Sequence, residues 1–478
     1  MSKEFDVVVI GAGPAGYVAA IRAAQLGMSV ACIDKWLNAG DKPSLGGACL
    51  NAGCIPSKAL LESSELYHKA NEQLATHGIK LASVELDLAQ MQKRKDGIVA
   101  TLTGGIGALF KANGVTALMG QGQVVDSGEV LFTDHAGKQE TLTAGNIIIA
   151  SGSEPVELGM APFDGKRVVD SWGALEFDAV PKRLGVIGAG IIGVELGSVW
   201  SRLGSKVTLL EAVDEFMPAA DRDVAKEAAK AFKKQGLDAK LGARVTAATA
   251  GKNNVKVSYS IDGEETEATF DKLIVAVGRR PFTTDLCAKS ARVSLDDKGF
   301  VSVDESYRTS LPGVYAVGDV IGGAMLAHKG MEEGVAVAEI LAGQKPHVNY
   351  EVVPSIVYTA PEIAWVGRTE AQAKAAGIDY RVGQIPFASN GRAKAIGDTT
   401  GFVKMIARAD TDEILGVHMV GPYVSELVQQ TVVAMEYKAS SEDIARIIHG
   451  HPTLSETMHE AALATFAQPI HFPPKRKK

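Results

Sequence analysis

Val7-Val8-Val9-Ile10-Gly11-Ala12-Gly13-Pro14-Ala15-Gly16 runs from an apolar strand pattern straight into a glycine turn, and its reading decides the fold. Residues 5–10 predict a buried strand, 11–16 a turn, 15–26 a helix ended by Gly27, and 30–34 a second strand. The pattern recurs. Val186-Ile187 leads into Gly188-Ala189-Gly190-Ile191-Ile192-Gly193, a helix follows to Leu203-Gly204, and residues 206–211 form a strand. The copies keep register: Gly11 with Gly188, Gly13 with Gly190, Gly16 with Gly193, Gly27 with Gly204. Each carries an acid 23 positions after its first glycine, Asp34 and Glu211. A lone glycine turn of this kind is weak evidence and can simply be packing. A strand before it, a helix after it and an acid at that distance make the pair specific for dinucleotide binding. The first glycine allows the tight turn, the second lets the backbone approach a pyrophosphate, and the third permits close helix–strand packing. Free N–H groups and the dipole at the helix start hold the phosphate. Asp34 and Glu211 are each expected to take ribose hydroxyls, and a carboxylate at 211 repels a 2′-phosphate, so NAD is expected over NADP.

The 478 residues suit three or four domains. Hydrophobic residues at 46% and charged residues at 22% exclude a disordered chain. A net charge of −7 argues against a nucleic-acid partner, which needs clustered cations. The one basic run, Lys475-Arg476-Lys477-Lys478, reads as a solvated terminus. No stretch has the roughly 18 to 20 apolar residues of a membrane span. The uncharged run 7–21 is the glycine turn, and MSKEFD before it is no basic leader, so a soluble, cytoplasmic chain is expected.

Between the two repeats the pattern predicts a long helical stretch over 57–114 and short alternating strands over 115–151. Residues 146–152 form a buried strand ending in a turn, with like-patterned strands at 271–278 and at 311–319, the last ending in Asp319. A helix spans about 327–341. From about residue 350 the texture changes to antiparallel strands near 403–406 and 416–420 and helices near 425–437 and 455–466. This is a separate α+β C-terminal domain.

Of the four cysteines, Cys32 reads as a packed strand residue and Cys287 as structural. Cys49 and Cys54 stand five apart in Gly46-Gly47-Ala48-Cys49-Leu50-Asn51-Ala52-Gly53-Cys54-Ile55-Pro56-Ser57-Lys58. In a regular helix that spacing means roughly 7.5 Å of rise and about 140° of rotation. A bridge therefore needs a distorted turn, for which Gly53 and Pro56 supply the irregularity. A redox pair, a metal site and a structural bridge all remain open, but a metal would need ligands that no second cysteine cluster provides. A thiolate needs a base. His451 in Gly450-His451-Pro452-Thr453-Leu454-Ser455-Glu456 is the candidate, held by a nearby carboxylate, although His449 and His459 lie close in sequence.

The GGACLNAGCIPSK segment, the two fingerprints, VYAVGDV and HPTLSE together resemble the pyridine nucleotide–disulfide oxidoreductases, over essentially the whole chain. The resemblance implies an α/β protein with two Rossmann-like dinucleotide-binding domains, a central domain and an α+β C-terminal interface (dimerisation) domain. It implies FAD binding over 1–150, NAD binding over 151–280, a central domain over 281–350 that completes the FAD site, and an interface domain over 351–478. The implied partners are a second copy of the chain, lipoyl domains and the acyltransferase core of 2-oxoacid dehydrogenase complexes. The implied chemistry oxidises dihydrolipoyl groups and reduces NAD⁺. Carried over by residue, Cys49 resembles the thiol that exchanges with substrate and Cys54 the one facing the flavin. Lys58 resembles the lysine beside the flavin and Glu195 its partner. His451 resembles the base and Glu456 its orienting acid, both reaching the other subunit's site. The FAD contacts implied are Gly11, Gly13, Pro14, Ala15, Gly16, Asp34, Lys35, Gly47, Ala48, Cys49, Lys58, Gly122, Ser151, Gly152, Asp319, Met325, Leu326 and Ala327. Those for NAD are Gly188, Gly190, Ile192, Gly193, Glu211, Val245 and Gly278. No metal is implied.

Three positions depart from the family pattern. Ala48 stands where threonine is usual, Asp34 where glutamate is usual, and Ala360 where histidine is common. They bear on flavin affinity and redox tuning rather than on the electron path. The alternatives are a related NADPH-dependent disulfide reductase, against which Glu211 stands, and a non-catalytic flavoprotein scaffold, against which the intact Cys49, Cys54, His451 and Glu456 stand.

Overall fold

The computed structural model describes residues 3–473; the basic run at 475–478 lies outside them. Strand β1 (Lys3–Ile10) turns at Gly11 into helix α1 (Pro14–Gln25), which returns to β2 (Val30–Asp34). Two short-spaced helices follow, α2 (Gly47–Ala52) and α3 (Cys54–Glu72), then α4 (Leu88–Asn113), β3 (Thr116–Asp126), β4 (Glu129–Asp134) and β5 (Gln139–Ile149). β1 pairs in parallel with β2 on one side and β5 on the other. β2 pairs in parallel with β3, and β5 with the strand Val314–Ala316. β4 joins β3 to β5 in antiparallel fashion. Val314–Ala316 thus returns some 160 residues after β5 to extend the first sheet, which is why the acid-ended strand lies beside the first glycine turn.

The second repeat builds its own all-parallel sheet from 237–240, 206–210, 183–187, 272–275 and 168–169, in that order. Helix α5 (Ile191–Arg202) follows its turn, and α6 (Arg222–Lys234) lies farther along the same half. The two turns repeat in detail. Gly11 and Gly188 have φ of +103° and +100°, open only to glycine at low cost. A Cβ at Gly16 would lie 1.8 Å from the Gly11 carbonyl oxygen, and one at Gly193 would lie 2.1 Å from that of Gly188. The third glycine of each copy therefore exists for backbone-to-backbone packing.

The C-terminal region carries a five-stranded antiparallel sheet, ordered 355–357, 362–367, 414–421, 402–408 and 380–386. Helices Val424–Glu436, Ser441–Arg446 and Glu456–Thr465 follow its last strand. No helix among the described residues is long and apolar enough to cross a membrane.

The helical stretch expected over 57–114 is divided into two helices. α3 ends at Glu72, and residues 73–87 form a single tight turn and an extended segment before α4. Gly78, at φ +79°, stops the turn, and the Asp87 carboxylate accepts from Gln90 N at 2.9 Å to start α4 afresh.

Helix α7 (Ala327–Leu341) packs against α1 through glycines. A Cβ at Gly334 would sit 2.5 Å from the Ala15 carbonyl oxygen, while one at Gly97, exposed on α4, would meet nothing within 4 Å. Gly334→Ala is expected to destabilise by about 1–3 kcal/mol, the cost of overpacking. Gly97→Ala is expected to be neutral or to stabilise by up to ~1 kcal/mol, because alanine favours a helix. Thermal melts of the two variants check this, and equal midpoints would contradict the packing argument.

Candidate active site

A continuous cleft of about 1830 Å³ runs past both glycine turns. From the first half of the chain it is lined by Gly11, Gly13, Pro14, Ala15, Asp34, Lys35, Gly47, Ala48, Cys49, Cys54, Lys58, Gly122, Ser151 and Gly152. From the second half come Gly188, Gly190, Ile192, Glu195, Glu211, Val245, Gly278, Asp319, Met325, Leu326 and Ala327. Four of the expected site residues do not line it. Gly16 and Gly193 are the packing glycines described above, set behind the turns by their backbone approach. His451 and Glu456 lie outside this chain's cleft altogether.

The lining fits dinucleotides. Helices α1 and α5 begin at Gly13 and Gly190 with no side-chain cap and no acid in the first turn, so their leading N–H groups are free for an anion. A Cβ at Gly190 would meet nothing within 4 Å, and one at Gly13 only the Gly47 Cα at 3.9 Å; both glycines leave the turn open for close approach. The two acids are held alike. Asp34 accepts from Ala12 N at 3.1 Å and Trp36 N at 3.0 Å. Glu211 accepts from Ala189 N at 2.8 Å and Val213 N at 3.2 Å. Each keeps lone pairs for hydroxyl donors. Burial pushes the Asp34 carboxyl up to about 6, against the N–H groups that favour its charge.

The helix breaks between the two cysteines. α2 ends at Ala52, Gly53 takes φ −142° and ψ −113°, and α3 starts at Cys54. The distortion required by the five-residue spacing is therefore present, and both cysteines are free thiols. The two thiols are coupled and unequal. The contact with Cys54 together with burial drives the Cys49 thiol well up. The contact with Cys49 pulls Cys54 down to about 7, against burial and with the help of the Lys58 charge. Lys58 Nζ donates to both Glu195 oxygens at 3.1 and 2.9 Å and lies 4.7 Å from the centre of the Tyr358 ring. Burial opposes the Lys58 charge, yet the Glu195 carboxylate holds the lysine pKa above its ordinary value. Glu195 Oε1 also accepts from Tyr358 N at 2.9 Å.

His451 is exposed, its side chain 79% accessible, and its Nδ1 lies 2.8 Å from Glu456 Oε1. An ionised carboxylate only accepts, so Nδ1 carries the hydrogen and Nε2 keeps a free lone pair. Glu456 also accepts from Thr453 N at 2.8 Å. Burial opposes its charge, but these donors hold its carboxyl below the usual value.

Several lining residues escape a reading of the sequence. Ser153 donates to Asp319 Oδ2, and Arg279 Nε donates to Ser153 Oγ at 2.7 Å. Trp36 and Trp172 meet edge to face at 5.1 Å between ring centroids. No local motif marks these; each is set by a contact between segments more than 100 residues apart. Among the described residues, no group of three or more His, Cys, Asp or Glu is placed to hold a metal ion.

Residues 5–334 match the family described as pyridine nucleotide-disulphide oxidoreductase, and residues 353–462 match its dimerisation domain. The chain is 55% identical over 470 residues to a dihydrolipoyl dehydrogenase of Cupriavidus necator, covering 97% of this chain and 98% of that one. It is 48% identical over 472 residues to the mitochondrial dihydrolipoyl dehydrogenase of Pisum sativum (98% and 93%), and 48% identical over 470 residues to a leghemoglobin reductase of Glycine max (98% and 89%). Among solved structures it is similar to LpdA of Mycobacterium tuberculosis, with a TM-score of 0.87 at 28% identity, covering 96% of this chain and 99% of that one.

The thiol asymmetry is measurable. In the reduced protein, thiolate absorbance from Cys54 is expected to rise through about pH 7 rather than near the free-thiol value of 9.0. Cys49→Ala and Lys58→Met each remove a group that favours the thiolate, so both should move the midpoint upward, Cys49→Ala further. An unmoved midpoint in both variants would show that neither group is its source.

Proposed function

The chain belongs to the pyridine nucleotide-disulphide oxidoreductase family, and we propose that it oxidises protein-bound dihydrolipoyl groups and reduces NAD⁺, the dihydrolipoyl dehydrogenase reaction. What supports this reading is that a cysteine pair with one depressed thiol, a Lys58–Glu195 ion pair and two dinucleotide turns line one cleft. FAD held beside Cys54 and Lys58 would supply the two-electron carrier between the reduced cysteine pair and NAD⁺. The first turn with Asp34 and Asp319 holds FAD, and the second with Glu211 holds NAD. Residues 1–150 bind FAD, 151–280 bind NAD, 281–350 complete the FAD site, and 351–478 form the dimer interface. The setting is cytoplasmic, and the partners are the lipoyl domains and acyltransferase core of 2-oxoacid dehydrogenase complexes.

The thiol chemistry begins with Cys49 and Cys54 bridged. A base removes a proton from one substrate thiol, and the thiolate attacks Cys49 Sγ. The Cys49–Cys54 bond breaks, and Cys54 leaves as the thiolate. Cys54 is the better leaving group because the nearby Lys58 cation favours its anion. The second substrate sulfur then attacks the substrate sulfur of the mixed disulfide, closing the lipoyl ring; Cys49 leaves and takes up the second substrate proton, so the pair ends as a Cys49 thiol and a Cys54 thiolate. The dihydrolipoyl group is oxidised by two electrons, and the cysteine pair is reduced by two. His451 takes the first proton on Nε2, and Glu456 holds it in the tautomer that can do so.

His451 acts in the site of a second copy of the chain. It stands outside its own chain's cleft, in a domain that also exposes large apolar residues, with Ile448 96% accessible and Tyr437 83%. A homodimer through residues 353–462 would cover them.

Steady-state assays are expected to show that NADH, and NADPH far less, reduces lipoamide, with little reduction of oxidised glutathione or Hg²⁺. Glu211 underlies the NAD preference; equal kcat/KM for NADH and NADPH would contradict it. Cys49→Ser and Cys54→Ser should each abolish turnover. His451→Gln should lower it by about 10²-fold or more while leaving FAD bound. A heterodimer of His451→Gln with Cys49→Ser tests the shared site: one of its two clefts combines intact Cys49 with intact His451, and activity approaching half that of the wild-type dimer is expected. No recovery in a verified heterodimer would place His451 in its own chain's site.

A further inference from the structure

Glu333 on α7 is fully buried, yet it touches none of the groups that the thiol chemistry uses. Its carboxylate is saturated with donors. Oε2 accepts from Gly318 N at 2.7 Å. Oε1 accepts from Lys329 Nζ at 2.8 Å and from the Tyr350 hydroxyl at 2.9 Å. Lys329, one helical turn earlier and equally buried, also donates to the Gly322 carbonyl at 3.0 Å. The buried pair therefore grips both ends of the turn Gly318–Ile321, one through an N–H and the other through a carbonyl. Between these two grips stands Asp319, in the cleft lining.

That turn needs holding. Gly318 and Gly322 flank it at φ of +79° and +80°, and α7 presses on it closely enough that a Cβ at Gly330 would lie 3.3 Å from the Gly318 Cα. A buried ion pair is weak evidence for a stabilising role, because desolvation offsets its attraction. Its value here is geometric: a charged acceptor on a rigid helix fixes the Gly318 N–H, and with it the residue that follows. The third donor extends the connection. Tyr350 stands just before the dimerisation domain that begins at residue 353, is 51% exposed, and shares a hydrogen bond with the Tyr307 hydroxyl at 2.9 Å.

We infer that Glu333 is a positioning residue for the flavin site, setting where Asp319 stands in the cleft through Gly318, and that Tyr350 ties this setting to the start of the dimerisation domain. The inference rests on the reading that the first half of the cleft binds FAD. Its mechanism needs no contact between Glu333 and the cofactor. Losing the Tyr350 hydroxyl loosens one of three donors; losing the Glu333 charge loosens the Gly318 anchor itself.

The test uses the holoprotein and measures three things: the rate of FAD release, followed by the rise in flavin fluorescence; the visible circular dichroism of bound flavin; and the thermal midpoint. Glu333→Gln should release FAD about tenfold faster, the scale of one lost charge-assisted hydrogen bond, with an altered flavin dichroism band. Tyr350→Phe removes only a hydroxyl at the edge and should accelerate release by about threefold, with the same sign of dichroism change and an unchanged thermal midpoint; it carries the test should Glu333→Gln fail to fold. Wild-type release rates and dichroism in Tyr350→Phe, together with wild-type dichroism in any folded Glu333→Gln, would overturn the inference. A lowered thermal midpoint with unchanged flavin signals would also overturn it, making the cluster purely structural. A wild-type protein that cannot be loaded with FAD would instead sink the proposed function, so the two failures are distinguishable.

Discussion

The Lys58–Glu195 ion pair joins the two halves of this chain at the site itself. Lys58 stands one turn into α3, four residues beyond Cys54; Glu195 stands in the first half of α5, two residues beyond the last glycine of the second turn. Each helix begins at a glycine break that belongs to the chemistry of its own half. Pairing their side chains at 2.9 Å therefore puts the cysteine pair and the second dinucleotide turn in one cleft. The pair also charges that cleft. Glu195 stabilises the Lys58 cation against burial, and the cation in turn favours the Cys54 thiolate.

The asymmetry between the two cysteines follows from the same helix break. Gly53 lets α2 stop and α3 start within one residue, so Cys49 and Cys54 face each other although a regular helix would hold them apart. In the reduced pair the coupling favours the anion on Cys54, with Lys58 on that side. The Lys58 cation fits Cys54 to leave as an anion when the bridge is opened. Ala48 contributes no hydroxyl to this arrangement, which rests on Cys49 and Lys58.

The two glycine turns show one physical solution used twice. Their φ values agree within a few degrees, their third glycines make the same backbone approach, and their acids accept from the same backbone positions of their own turns. What differs is the surroundings. The first turn is covered by α7 through Gly330 and Gly334, and the returning strand Val314–Ala316 brings Asp319 to it. The second half has a separate antiparallel sheet over 244–270 in its place.

The sequence by itself determined what depends on near neighbours. The glycine turns, their strands and helices, the acids at 34 and 211, the broken helix at Gly53 and the cysteine pair are all legible because backbone freedom and hydrophobic period are local properties. Even His451 with Glu456 is legible, lying five residues apart and bonded as expected. The helical stretch over 57–114 is legible, but its division is not, because a weak apolar pattern hides a stop at Gly78 and a fresh cap at Asp87. Only the tertiary structure decided that Gly16 and Gly193 support rather than line the cleft, and that Ser153 and Arg279 attend Asp319. Only it decided that Glu333 and Lys329 grip the turn carrying Asp319, and that His451 stands away from its own chain's cysteines. These contacts depend on how sheets and helices stack, and stacking is set by the summed packing of whole faces, so no short stretch of residues records it.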